Sequence, residues 1–233
     1  MKALVAEIVA GVRPPGERLP KEIDLSETFG VSRGVTRETI RAMEERGLIS
    51  VKHGKGATVN GPDDWDVFDP DVLAAIFENG GAVDILGQYL ECRMILEVEA
   101  AGLAAERAGT KDIELIRAAL VSMEEQAAMP HSEVSEGKFH EADVSFHQGV
   151  IGATGNRALG GLVERIHTSL FMARFPTARP QYRQERALPE HRRILAAVEA
   201  GDPYEARLAM RDHLETIAKY LAEYSRNQKK KRR

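Results

Sequence analysis

Few folds accept the order of residues between Gly30 and Ile49. Gly30 and Ser32 make a tight corner, and Ser32 has the side chain of a helix N-cap. The run that follows, from Arg33 to Arg46, lacks glycine except at position 34 and carries no proline, and Gly47 stops it. Ile40 and Met43 form a narrow apolar face. Arg33, Arg37 and Arg41 recur every fourth residue and so share another face. A helix that packs by one side and shows arginines on the other suits the major groove of DNA. An ordinary solvated arginine face accounts for these residues equally well, so the neighbouring chain has to decide.

Upstream, Leu4, Val5, Ile8, Val9 and Val12 have helical spacing over residues 2–12 before Pro14-Pro15-Gly16 breaks it. A second helix is expected over 21–29, with Ile23 and Leu25 as core contacts. Downstream the pattern turns to strand. Leu48 to Val51 and Ala57 to Val59 are short apolar runs joined by Lys52-His53-Gly54-Lys55-Gly56, which reads as a β-hairpin. Three helices and a hairpin over residues 1–60 make a winged helix-turn-helix. Lysines at the wing tip can meet phosphate, and glycines let backbone N–H groups approach a groove. Residues 1–60 carry ten basic and eight acidic side chains, whereas residues 61–225 carry sixteen and twenty-eight. The acidic remainder is a poor nucleic-acid surface.

The run Pro15-Gly16-Glu17-Arg18-Leu19-Pro20, then Phe29-Gly30-Val31-Ser32-Arg33, Arg37-Glu38, Gly47-Leu48-Ile49 and Gly54-Lys55-Gly56 resembles the DNA-binding domain of GntR-type bacterial transcription regulators. The resemblance covers residues 1–60. It implies that Arg33 and Arg37 read or position on the operator and that His53 and Gly54 enter the minor groove; Lys55, a wing-tip lysine, is placed to meet phosphate.

Residues 61–70 read as a linker, with two prolines and four acids. Trp65 and Phe68 are unnecessary in a free tether, so they are expected to dock and make it a semi-rigid strap. From 71 to 225 the periodicity is helical, with helices expected at 71–79, 82–108, 111–129, 135–153, 157–175, 184–200 and 203–225. Ile113, Ile116, Leu120 and Met123 form one stripe, and Met210, Ile217 and Leu221 another. The fold class is therefore mainly α: an N-terminal winged helix-turn-helix and a C-terminal all-α bundle. The basic segment 226–233 reads as a disordered tail. Cys92 is the only cysteine, which excludes an intrachain disulfide and points to a reducing, cytoplasmic setting. No apolar run is long enough for a membrane span.

Within the bundle region Asp143 and His147 lie four apart on one helical face. His191 shares a face with Ala187, Ile194 and Val198, and His213 with Met210 and Ile217. Three imidazoles and a carboxylate pointing inward can close around Zn²⁺, and also around Ni²⁺ or Mn²⁺. Satisfied core histidines are the other reading of the same spacing. The strings around Glu141–His147, Pro189–Leu195 and Ala209–Leu214 resemble the effector domain of the FadR-like branch of the same superfamily. That resemblance implies that Asp143, His147, His191 and His213 hold a divalent metal. Whether His140 or His167 joins them stays open.

By the same resemblance Arg93 clamps an effector carboxylate, its alternative role being an ion pair with Glu97 one turn on. Asn156 either touches ligand or caps a helix. The stretch from Asp64 to Leu73 is similar to the linker of sugar-acid regulators of the galactonate type, which makes a sugar acid the expected effector. The expectation is a homodimeric repressor on double-stranded operator DNA, released by a small carboxylic acid. A metal-dependent hydrolase using the same Asp/His cluster is the rival. An architectural DNA-binding protein is a second rival.

Overall fold

The computed structural model describes residues 1–52, 54, 56–130, 132–172 and 186–231. Two compact units emerge. One is Met1–Ala82 with a short piece from Ser169; the other is Val83–Thr168 with the chain that returns at residue 186. Among the described residues no helix is long and apolar enough to cross a membrane.

The first unit holds α1 (Lys2–Val9), α2 (Glu22–Phe29), α3 (Arg33–Glu45), β1 (Ile49–Lys52), β2 (Gly56–Val59) and α4 (Pro70–Glu78). Gly30 ends α2 in the left-handed region at φ 62°, which costs glycine little, and Val31 N donates to Ser26 O at 3.0 Å across the turn. Two residues on, Ser32 caps α3 by accepting from Val35 N at 3.3 Å. Thr36 and Met43 form the buried face of α3, with Ile40 beside them. β1 and β2 pair antiparallel from Ile49↔Val59 to Lys52↔Gly56. The segment after Gly16 flanks β2, with Leu19 N donating to Ala57 O and Val59 N to Glu17 O, both at 2.9 Å.

Helix α1 is shorter than its apolar spacing suggests. It stops at Val9, and Val12 is exposed, while Leu4, Val5 and Ile8 reach the core. In α2 only Leu25 is a core contact; Ile23 lies on the outer side at 38% exposure. Leu4, Val5 and Ile8 pack with Leu19, Met43, Leu48, Ile49, Val59, Val72 and Ala75. The last two belong to α4, which the sequence pattern placed with the bundle. A helix as short as α1 needs a second surface to bury its three apolar residues, and α4 supplies it.

The strap between wing and α4 is docked. Trp65 is half-buried against this core, and its Nε1 donates to Asn60 O at 3.3 Å. Asp66 N donates to Arg46 O at 2.8 Å, and Arg46 Nε pairs with Asp69 Oδ2 at 2.8 Å. Asp69 also caps α4, its Oδ1 accepting from Asp71 N at 2.9 Å and Val72 N at 3.2 Å. Gly47, at φ 69°, allows the close crossing, because a Cβ there would collide with the Asp64 carbonyl.

Among its described residues the elements of the second unit are all helices. It comprises α5 (Ala82–Arg107), α6 (Thr110–Ala128), α7 (Glu133–Ala153), α8 (Arg157–Met172), α9 (Leu188–Glu199) and α10 (Pro203–Lys231). The expected stripe on α6 is inside, with Ile116, Leu120 and Met123 buried and Ile113 partly so. They meet Phe139, Phe146 and Val150 of α7, and Ile194, Val198, Met210 and Leu214 of α9 and α10. The last helix continues to Lys231, six residues beyond the expected end, where a disordered tail was expected. Lysine and arginine are good helix formers and favour the negative end of the helix dipole. The expected ends of α8 at 175 and of α9 at 184 fall outside the described residues.

Candidate functional site

The polar groups that the helical pattern points inward do meet. α7 carries Asp143 and His147, α9 carries His191 and α10 carries His213. One donor atom from each of the three rings lies within 4.8 Å of the others, and all three rings are buried. Asp143 stands outside that mutual set, but its Oδ1 is 3.1 Å from His191 Nε2. The rings also pack on one another, with His191 and His213 centroids 4.5 Å apart and His147 and His213 stacked at 5.3 Å.

Each ring is held from behind. His191 Nδ1 donates to the Ala187 carbonyl at 2.7 Å. His213 Nδ1 lies 2.9 Å from Glu190 Oε2, and Thr216 donates to the other oxygen of Glu190 at 2.8 Å. His147 Nδ1 lies 2.7 Å from Glu97 Oε2, although without hydrogen-bond alignment. A neutral ring that donates through Nδ1 carries its lone pair on Nε2. The Nε2 atoms of His191 and His213 are buried with no hydrogen-bond partner.

Electrostatics sharpen this picture. Burial pushes the His147 imidazole from 6.5 down to about 3 against the pull of Glu97. Burial likewise takes His213 to about 3, with the charge of His191 adding to it. Burial alone would raise the Asp143 carboxyl, but His191 beside it, with His147 and His140, holds it well below the usual range. With His191 Nδ1 donating to the Ala187 carbonyl, its Nε2 and Asp143 Oδ1 face each other across 3.1 Å. Two acceptors at that distance repel unless a proton or a cation lies between them. Neutral imidazoles and a carboxylate are the donor set that Zn²⁺, Ni²⁺ or Mn²⁺ accepts, and rings fixed by outer hydrogen bonds are the usual support of such a site. The residues therefore fit a divalent ion.

Glu97 is the hub that the sequence reading reached only as a partner for Arg93. It is fully buried on α5 and accepts from Arg93 Nε at 2.6 Å. Its Oε1 also meets His167 Nε2 at 2.9 Å. Burial alone would raise its carboxyl, but Arg93, with His147 and His167, holds it well below the usual range. Arg93 is thus in the ion pair that was its alternative role, and its Nη2 also lies 3.4 Å from His147 Nε2. Glu97 and Glu190 were not singled out, because their partners lie on other helices. The one available signal for Glu97 was a carboxylate at an apolar position of α5, one turn before Ala101. Asn156 is exposed and spends its Oδ1 on capping α8, accepting from Ala158 N and Leu159 N at 3.1 Å.

In the first unit Arg33, Arg37 and Arg41 are exposed on α3. Arg37 lies 3.5 Å from Glu22 and Arg41 pairs with Glu45 at 3.1 Å, both at the surface. Gly54 sits exposed at the hairpin tip with φ 72°. His53 and Lys55 lie outside the described residues.

With this geometry in hand, comparison with known proteins gives a consistent result. Residues 1–59 match the model of the bacterial regulatory proteins of the gntR family, and residues 88–216 match the FCD domain. The galactonate operon transcriptional repressor of Escherichia coli (strain K12) is 32% identical over 84% of this chain and 83% of its own length. The Uxu operon transcriptional regulator of the same organism is 31% identical over 91% and 80%. LutR, an HTH-type transcriptional regulator of Bacillus subtilis (strain 168), is 30% identical over 92% and 95%. Among solved structures, the Listeria monocytogenes regulator Lar superposes with a TM-score of 0.62 at 18% identity, covering 96% of this chain and 97% of that one. A Streptococcus agalactiae GntR protein gives 0.53 at 22%, covering 94% and 100%. At such identities these structures speak for the fold. A GntR-type DNA-binding domain followed by an FCD domain, shared along most of the length of curated regulators, makes this chain a transcriptional regulator of the GntR family.

Proposed function

We propose that this protein is a cytoplasmic, homodimeric repressor that leaves its operator when a small carboxylic acid, foremost a sugar acid, binds beside a divalent metal in the helical domain. As a GntR-family regulator the chain is not an enzyme, which sets aside the hydrolase. The observation that carries the proposal is the buried pair of bare Nε2 atoms, on His191 and His213, beside the Asp143 carboxylate. Asp143, His147, His191 and His213 would hold the ion. A bound Zn²⁺, or failing it Ni²⁺ or Mn²⁺, would offer open coordination positions to a carboxylate oxygen. Arg93, oriented by Glu97, would give the same carboxylate a planar cationic partner. Two relatives are named for the galactonate and Uxu operons, which supports a sugar acid over other carboxylates.

At the DNA, Arg33 and Arg37 would reach base edges or phosphates in the major groove, and the wing tip with His53, Gly54 and Lys55 would follow the minor groove. Paired copies would set two α3 helices on successive half-sites. Release then needs the effector to favour the non-binding state by about 1–3 kcal/mol. DNA selected by this protein from a random pool, followed by gel-shift titration with sugar acids, tests the proposal. Metal-loaded protein should hold the DNA and release it as the sugar acid is added. A complex untouched by sugar acids, on protein that takes up no metal, would refute it.

A further inference from the structure

The first turn of α3 carries two residues that its own packing does not account for. Apart from Gly34 and Val35, every exposed position of α3 is an arginine or a glutamate. Both are weak choices for the opening turn of a surface helix, glycine for its backbone entropy and valine for its branched Cβ. Among the described residues nothing asks for the glycine. Its φ is not in the left-handed region, and a Cβ there would meet only the Ser32 hydroxyl, at 3.8 Å, which is ordinary contact. Nor does the core ask for the valine. Val35 is 53% exposed, while Thr36, Ile40 and Met43 turn the other side of the helix inward.

The neighbours of this pair say what it faces. Arg33 precedes it and Arg37 follows it, both exposed, so it sits among the cations proposed to enter the major groove. Valine has no atom that can bond a phosphate, so any contact it makes there bears on sequence rather than on general affinity. The apolar group that a base pair presents in the major groove is the thymine 5-methyl, which apolar side chains read by contact. A residue without a Cβ beside it lets the DNA come close to the helix.

We infer that Val35 reads a thymine methyl in the operator and that Gly34 gives the base room to reach it. The inference rests on the operator reading above and deepens it from arginine contacts to a named base. Arginine supplies most of the attraction in this division of work, and Val35 adds a preference that salt does not screen.

Duplexes carrying the sequence that the full chain selects from a random pool test this. Each thymine of a half-site is replaced in turn by deoxyuridine, which keeps every hydrogen-bonding group and removes only the methyl. Fluorescence-anisotropy titration should show wild-type binding weakened about fourfold at one thymine, the burial of one methyl. Val35→Ala puts the best helix former at an exposed site, so the fold is kept. It should bind the thymine and deoxyuridine duplexes of that position alike, with its affinity for unrelated DNA unchanged. Gly34→Ala should weaken operator binding while its thermal midpoint holds or rises. Wild-type affinities equal within twofold at every thymine would overturn the inference. So would a penalty that persists in Val35→Ala, or a Gly34→Ala protein that binds the operator as wild type does. A Val35→Ala protein that binds neither duplex would overturn it too, since one apolar contact does not carry that much. If selection returns no preferred sequence, the operator reading itself fails and this inference falls with it.

Discussion

Glu190→Ala is the most informative perturbation of the proposed metal site, because Glu190 bonds none of the nitrogens proposed to hold the ion and reaches the site through His213 Nδ1. In the structure its Oε2 faces His213 Nδ1 at 2.9 Å and its Oε1 accepts from Thr216. Thr216 keeps a second acceptor, the Asp212 carbonyl at 3.0 Å, so its hydroxyl is not stranded by the change. His213 has no such reserve. Without Glu190 its proton is free to move to Nε2, the atom needed for the metal. Losing such an outer partner typically weakens metal affinity about 10- to 100-fold. With free metal at about 100 times the wild-type Kd, binding stabilises the wild type by about 2.7 kcal/mol. The same concentration should stabilise the variant by only about 0.4–1.4 kcal/mol. The assay is urea unfolding of each protein, with metal buffered at fixed free concentration and again with chelator. Taking the difference within each protein cancels any cost to the metal-free fold. Glu190→Gln, which retains an acceptor oxygen, should fall between the two. An equal metal increment in wild type and Glu190→Ala would refute the argument that His213 Nε2 binds the ion with Nδ1 held by Glu190.

Three further outcomes are expected. Arg33→Ala should weaken operator binding by about 1–3 kcal/mol if it reads a base, and an unchanged gel-shift midpoint would remove it from the contact set. Metal-free protein should lose stability as pH falls below 6.5. His147 and His213 are held at about 3 in the fold, so the unfolded chain binds more protons between those values. The slope is about 1.4 kcal/mol per pH unit for each ring, and a flat urea midpoint between pH 7 and 5 would show that the rings titrate normally. Gly47→Ala should destabilise by about 1–3 kcal/mol, since the left-handed backbone and the crossing strap both exclude a Cβ. Thermal unfolding measures it, and a wild-type midpoint would mean that the strap yields freely.

The parts of this fold that were legible are those with local causes. Gly30, Ser32 and Gly47 bracket α3 through backbone conformation and a side chain three residues away. The four-residue step from Asp143 to His147 puts both on one face whatever surrounds the helix. Parts with distant causes were not legible. α4 has an amphipathic pattern that would suit either unit, and only its packing against Leu4, Val5 and Ile8 assigns it to the first. Ile23 has core chemistry but falls on the outside of a short helix. Glu97 and Glu190 look like surface acids until α7, α8 and α10 bring His147, His167 and His213 to them. Spacing on one helix cannot announce a partner on another.

Asp69 begins one helix while gripping the end of another. One of its oxygens starts α4 and the other holds Arg46, the residue that closes α3. Helix α3 therefore comes with a handle, because Asp69 ties the start of α4 directly to the residue that ends α3. Residues 61–70, which the sequence pattern marked as a semi-rigid strap, form part of that handle. α4 itself ends in a turn where Gly80 adopts φ 85° and is followed by a second glycine.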